Sequence, residues 1–168
     1  MKKLIIPVLA VVCFTGVFAA GTSSVLKTSE YEFGYFKNPY FSFISPSQLP
    51  ASAQNYLNTY FGGLSNVSRA KVDRHKYEVE TRDGFEIKFN LDGSVRKIES
   101  DYKSIPMGTL SKLPGNVYSY TSTQFAGWNL LKVEIKSSKI ELDLEKGRYE
   151  AEVRFNGAGK LIKVKYDD

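Results

Sequence analysis

From residue 67 onward, hydrophobic and polar residues alternate in short runs that are separated by turns. Two of these runs, 77–81 and 85–89, flank Asp83-Gly84, and an Asp-Gly turn between alternating runs is a strong signal of a β-hairpin. Further alternating runs predict strands over 67–73, 95–99, 131–135, 140–144, 151–155 and 161–164. A period of two puts one side of each strand in a core and the other in water, so we predict antiparallel sheet.

Two other stretches repeat their apolar residues every three or four positions, which predicts helices with one apolar face. The first predicted helix covers 48–61 and the second covers about 112–125. The apolar faces of the first helix and of the hairpin that follows it should meet in one core. We expect four residues to be buried together there: Tyr56, Phe61, Ile87 and Phe89.

The two halves of this pattern are related by a nearly constant offset. Leu49-Pro50 at the start of the first helix recurs 64 residues later as Leu113-Pro114. The strand and turn over 85–93 recur 66 residues later. Because a fixed internal offset indicates a duplicated structural unit, we predict an α+β fold of two tandem repeats, in which each repeat packs one helix on an antiparallel sheet of about four strands.

The chain divides into four predicted segments. Residues 1–20 have a basic start, an apolar run and small residues near Ala19 and Ala20, which is typical of a secretory signal peptide. Residues 21–47 form an aromatic-rich segment, and the two repeats follow over 48–101 and 102–168. We therefore expect a periplasmic or secreted protein without stable membrane insertion after cleavage.

Cys13 lies inside the apolar run of the signal. A cysteine there can become a lipidated N-terminus, but Val12 before it is not small and the apolar run continues past it. We expect Cys13 to be removed with the signal, which leaves a mature chain without cysteine.

The aromatic-rich segment allows two interpretations. Its rings can pack on the domain, as an arm or an added edge strand. Alternatively Tyr31, Phe36 and Tyr40 form an exposed patch that anchors a partner, since aromatic residues are favoured at protein interfaces.

The net charge and the available residue types limit the classes of function that the sequence predicts. The chain has 23 basic and 18 acidic residues. Removal of Lys2 and Lys3 leaves 21 − 18 = +3, which is too mild a charge to indicate nucleic-acid binding. His75 is the only histidine, so neither a metal site nor a Ser-His-Asp arrangement is predicted. We expect no cofactor, no metal and no enzymatic activity, and a hydrolase is disfavoured.

The order of motifs in the first repeat is familiar: Leu49-Pro50, Tyr60-Phe61, Tyr77-Glu78-Val79-Glu80, Asp83-Gly84, 85–89 and Asp92-Gly93. This order resembles the PepSY-like periplasmic protein family, whose fold is like that of beta-lactamase inhibitory protein. The resemblance covers about residues 47–168. It implies repeats whose sheets join side by side, and an exported, non-enzymatic protein with a binding or inhibitory role.

The resemblance also implies where a partner would bind. In beta-lactamase inhibitory protein the sheet face and a hairpin loop meet the enzyme, and the corresponding loop here is Arg82-Asp83-Gly84. We expect this hairpin and the outward sheet face to bind an envelope or extracellular protein, with the Asp83 carboxylate meeting a cationic group of that partner. The alternative function is a small-ligand, peptide or carbohydrate binder that uses the sheet face.

Overall fold

The structure is a computed structural model that describes residues 41–167. The predictions for the signal peptide and for Tyr31, Phe36 and Tyr40 lie outside the described residues. Two α-helices are present in the described part, α1 (Ala51–Tyr60) and α2 (Val117–Gln124). The strands are β1 (Phe41–Phe43), β2 (Val67–Asp73), β3 (Lys76–Thr81), β4 (Glu86–Asn90), β5 (Val95–Glu99), β6 (Asn129–Ile135), β7 (Lys139–Lys146), β8 (Tyr149–Asn156) and β9 (Leu161–Asp167).

The nine strands form one antiparallel sheet in which every strand pairs with its neighbours in sequence. The predicted strands are therefore confirmed, with shifts of a few residues at their ends. The first group of strands, β2–β5, joins the second group, β6–β9, through pairing of β5 with β6, where Ile98 lies opposite Val133. The additional strand β1 extends the first edge by pairing with β2.

Both α-helices are shorter at their N-termini than predicted. Leu49 and Leu113 have extended backbone conformations, because a residue that precedes proline avoids the helical region. The residues before them form separate 3-10 helices, Pro46–Gln48 and Met107–Lys112. A third 3-10 helix, Leu64–Asn66, follows α1. Consequently each α-helix begins only after the Leu-Pro pair.

The core lies between the two helices and one face of the sheet. Phe61, Ile87 and Phe89 are buried as predicted, and Tyr56 is partly buried against them. The residues at the two offsets make the same contacts in both halves. The Tyr56 ring meets Phe89 edge-on at 6.1 Å between centroids, and the Tyr120 ring meets Phe155 edge-on at 5.8 Å, each at an interplanar angle of 83°.

Candidate partner-binding face

The sheet face opposite the helices, which we call the open face, carries the charged residues of the alternating pattern. Cross-strand pairing aligns these residues into two rows. The acidic row contains Arg69, Glu80, Glu86, Glu99, Lys132, Asp143, Glu152 and Lys165. The basic row contains Lys71, Glu78, Lys88, Lys97, Glu134, Glu141, Arg154 and Lys163. All sixteen positions are charged, so both rows are ionic along their whole length from β2 to β9.

The two rows differ in their balance of charge. The acidic row has five carboxylates and three cations, and the basic row has five cations and three carboxylates. Ion pairs along the strands link them, such as Lys88 to Glu86 at 2.7 Å and Lys97 to Glu99 at 2.6 Å. The hydrogen bond from Lys88 to Glu86 raises the pKa of that lysine above its ordinary value. The open face is thus dipolar along the strand direction, and its charges are paired with one another.

Like charges nevertheless lie directly opposite one another in the first group of strands. Glu80 faces Glu86, and Glu86 faces Glu99. Directly opposed like charges destabilise a sheet by a few tenths of a kcal/mol to about 1 kcal/mol. With Asp101 and Gly84, these three carboxylates line a hollow of about 260 Å³ at the hairpin end of the sheet. A cationic group placed there would relieve the repulsion.

Aromatic rings border the open face at the β1 edge. Phe41 lies opposite Asp73, and Phe43 lies opposite Lys71, so both rings share the face of the charged rows. The two rings pack edge-on at 5.4 Å between centroids. Phe43 is 64% exposed. In these described residues, the aromatic segment adds an edge strand to the sheet and exposes one ring.

The Arg82-Asp83-Gly84 hairpin forms the predicted turn, but it is held against neighbouring segments. The Asp83 carboxylate accepts a hydrogen bond from Asn66 Nδ2 at 2.7 Å through one oxygen and from Lys103 Nζ at 2.7 Å through the other. The backbone N–H of Arg82 donates to the Asn66 carbonyl at 2.8 Å. Both oxygens of Asp83 thus have partners within the chain, and its contact with a cationic group of another protein stays a prediction.

Tyr102 lies beside this hairpin, although no sequence motif pointed to it. Gly84 has φ +91°, and a Cβ on it would lie 1.8 Å from the Tyr102 hydroxyl oxygen. The left-handed backbone favours glycine at this position, and the absence of a side chain lets the Tyr102 ring lie against the turn. Tyr102 is 75% exposed. In the sequence, Tyr102 is recognisable only as an aromatic residue in the segment between β5 and the 3-10 helix Met107–Lys112. Nothing near it in the sequence predicts its contact with a turn 18 residues earlier.

The surroundings of Asp83 give a prediction about stability and pH. Partial burial works to raise the pKa of Asp83, but hydrogen bonds from Lys103, Thr81 and Asn66 outweigh it and lower the pKa to about 2. Because the folded pKa lies below the unfolded value near 3.9, the charged form stabilises the fold above about pH 4. That stabilisation is lost as the pH falls through about 2.

We expect Asp83→Asn to lower the free energy of unfolding at pH 7 by about 1 kcal/mol, a value reduced for solvent screening. The difference from the wild type should shrink between pH 5 and pH 2. Urea unfolding at several pH values measures this difference, with Asp101→Asn, on an exposed carboxylate just after β5, as the matched control. An Asp83→Asn protein as stable as the wild type at pH 7 would contradict the conclusion that the charged Asp83 carboxylate stabilises the fold.

The described residues offer little for catalysis or metal binding. His75 lies exposed in the turn between β2 and β3, where the sequence places it. Within 41–167, no group of three or more histidine, cysteine or carboxylate side chains is arranged to hold a metal ion. The side chains of the open face are suited to ionic contacts, and the rings at its β1 edge are suited to aromatic contacts.

Three solved structures from Bacteroides have a similar fold. A putative calcium-regulated periplasmic protein from Bacteroides thetaiotaomicron is 23% identical, covering 74% of this chain and 96% of its own, with a TM-score of 0.61. A putative periplasmic protein of the DUF2874 family from Bacteroides vulgatus is 24% identical with the same coverage and TM-score. Another putative periplasmic protein of unknown function from Bacteroides vulgatus is 25% identical, covering 74% and 98%, with a TM-score of 0.60.

All three neighbours are described as periplasmic, which confirms the predicted periplasmic location. Within residues 41–167, no helix is both long and apolar enough to cross a membrane. No curated protein sequence matches the chain.

A family profile matches the chain twice, over residues 36–97 and over residues 75–163. Together the two matches cover well over half of the 168 residues. The chain therefore belongs to the family described as "putative beta-lactamase-inhibitor-like, PepSY-like", as the order of its motifs predicted.

Proposed function

We propose that this chain is an exported, non-enzymatic binding module of the cell envelope that engages a protein through its open face. The proposal rests mainly on one observation, the two charged rows that cross eight strands without an apolar interruption. The inhibitor-like family supports it, because that fold is associated with blocking a protein partner. We also propose that the two repeats, 48–101 and 102–168, act as one unit, since β5–β6 pairing makes their sheets a single surface.

The open face has the dimensions of a protein interface. Seven inter-strand spacings of about 4.8 Å make each row about 34 Å long. The two rows, the hollow at the hairpin end and the β1 edge together approach the roughly 800 Å² per partner of a standard interface. A surface of this breadth suits a folded protein better than a small ligand.

The charge arrangement defines the partner's chemistry. A complementary surface would place cations over the acidic row, above all over Glu80, Glu86 and Glu99, and carboxylates over the basic row at Lys88 and Lys97. Such complementarity steers association and rejects wrong partners more than it raises affinity. Affinity would come from exposed aromatic anchors at the margins of the face, and Phe43 and Tyr102 are in that position.

The Arg82-Asp83-Gly84 hairpin is also part of this proposed surface. Since Asp83 is paired with Asn66 and Lys103, it fixes the shape of the turn and the position of the connector. The groups left to meet a partner at this end are the exposed side chains of Arg82 and Tyr102. In the alternative arrangement, Tyr31, Phe36 and Tyr40 of the N-terminal segment form the interface.

The test begins with capture of a partner from an envelope extract and measurement of its affinity for the purified protein. Glu86→Lys should weaken binding at least tenfold, because it places a cation where the proposed partner presents cations. The matched control is the double variant Asn58→Lys/Thr123→Lys, which changes the net charge by the same +2. Both of its substitutions are at exposed positions on the helix side, so it should bind normally. Tyr102→Ala should also weaken binding, by about tenfold.

Two outcomes would contradict the proposal. Equal losses in Glu86→Lys and in the helix-side control would indicate a general charge effect. Normal binding by Glu86→Lys and Tyr102→Ala, together with loss on substitution of Tyr31, Phe36 and Tyr40, would assign the interface to the N-terminal segment.

A further inference from the structure

A groove of about 610 Å³ lies on the helix side of the sheet, where the two halves of the fold meet. One wall is α1 and the opposite wall is the 3-10 helix Met107–Lys112 with the Leu-Pro pair after it. The floor comes from β5 and β6, at Val95, Val133 and Ile135. The groove is thus separate from the open face, and neither half of the fold forms it alone.

The lining of the groove is nearly free of charge. Of the fifteen residues that line it within 41–167, Lys112 is the only charged one, and none of them is a carboxylate. By contrast, 24% of the whole chain is charged, and every position in the two rows of the open face is ionic. Neither α1 nor α2 contains a charged residue. The helix side therefore suits a mainly apolar ligand, with one cation available at its margin.

The walls of the groove are held in place by hydrogen bonds, two of them between the halves and one within the first half. The Tyr56 hydroxyl donates to the Thr109 carbonyl at 3.4 Å, and the Tyr60 hydroxyl is 3.2 Å from Ser111 Oγ. At the other end, Ser52 Oγ donates to the Asp92 carbonyl at 2.8 Å. A ligand entering a site built in this way has little chain to order, which favours binding.

We propose that this groove binds a long-chain carboxylate, with the alkyl chain on the floor and the carboxylate at Lys112. The apolar floor excludes a highly charged ligand. The single exposed cation, without a carboxylate beside it in the lining, selects one anionic head over a cationic or zwitterionic one. The volume lies within the roughly 300–1,000 Å³ range of small-ligand sites, so a single alkyl chain fits.

Chain length provides the first test. With the purified, delipidated full-length protein, calorimetry should show one saturable site for dodecanoate below its micelle-forming concentration. Affinity should rise about fourfold for each methylene from octanoate to dodecanoate, since each buried methylene contributes about 0.8 kcal/mol. Absence of saturable binding would overturn the proposal. This holds also if the reason is that residues 21–40 of the chain itself occupy the groove.

Two substitutions locate the ligand. Thr59 is exposed on α1 and lines the groove, whereas the adjacent Asn58 is exposed but does not. Thr59→Trp should fill the groove and reduce dodecanoate affinity at least tenfold, and the matched control Asn58→Trp should bind normally. Equal affinities in the two variants would overturn the assignment to this groove.

The head group gives a separate readout. Lys112→Gln should weaken dodecanoate binding about threefold to tenfold and leave dodecanol binding unchanged, while Lys160→Gln in the β8–β9 turn should alter neither. Dodecylammonium should bind more weakly than dodecanoate. If dodecylammonium binds equally well, or if Lys112→Gln lowers dodecanol and dodecanoate binding alike, Lys112 does not hold the carboxylate and the proposed ligand class is wrong.

Discussion

Phe89→Ala should lower the free energy of unfolding by about 3–5 kcal/mol, and Phe155→Ala should lower it by a similar amount. Both rings are fully buried, and each meets a helix tyrosine edge-on with almost the same geometry. Removal of either ring leaves a cavity under one helix that the surrounding sheet cannot close. Urea unfolding monitored by circular dichroism measures both losses.

Phe43→Ala is the matched control, because the Phe43 ring is 64% exposed and its loss should cost less than about 1 kcal/mol. A large loss for Phe89→Ala together with a small one for Phe155→Ala would show that the two halves do not depend on equivalent cores. That result would contradict the interpretation of the fold as a duplicated unit.

Gly159→Ala should destabilise the protein by about 2–5 kcal/mol. Gly159 has φ +77°, and a Cβ there would lie 1.9 Å from the Pro114 carbonyl oxygen. The β8–β9 turn therefore packs backbone against backbone on the segment that leads into α2. An alanine requires that segment to move, in addition to the cost of the left-handed conformation.

Gly147→Ala separates these two costs. Gly147 has φ +64°, but a Cβ there would meet nothing within 4 Å. This control should lose only the roughly 1–2 kcal/mol of the backbone conformation. Thermal and urea unfolding of both variants provide the comparison, and equal losses would show that the contact with Pro114 contributes nothing.

The strands and turns were predictable because their signals are local. The alternation on either side of Asp83-Gly84 fixes which side chains share a face of the hairpin, and it needs only a few consecutive residues. The helices were predicted with less accuracy at their starts. Leu49 and Leu113 have helical spacing but precede proline, and the steric restriction from the proline prevailed over the apolar periodicity.

The candidate site was only partly predictable. The sequence identified Arg82-Asp83-Gly84 as a turn and predicted one solvent-facing side for each strand. In the structure, Glu78, Glu80 and Glu86 lie on that side. It did not indicate that Asp83 would be bound by Lys103, twenty residues later, or that Tyr102 would lie against Gly84. The residues next to a charged side chain in a turn do not show whether that side chain faces a partner or forms an ion pair within its own chain.

By itself, the sequence determined the strand pattern, the duplicated order of elements, the family and the class of face that each strand exposes. The resemblance to the family implied that the two sheets join side by side, but only the tertiary structure decided which residues meet at that junction, how the charges align into rows, and that a groove lies between the halves. Pairing of Ile98 with Val133, or of Glu86 with Glu99, depends on cross-strand register, which no short stretch of residues encodes. Periodicity fixes which side of a strand is wet, whereas register and helix packing fix which residues become neighbours.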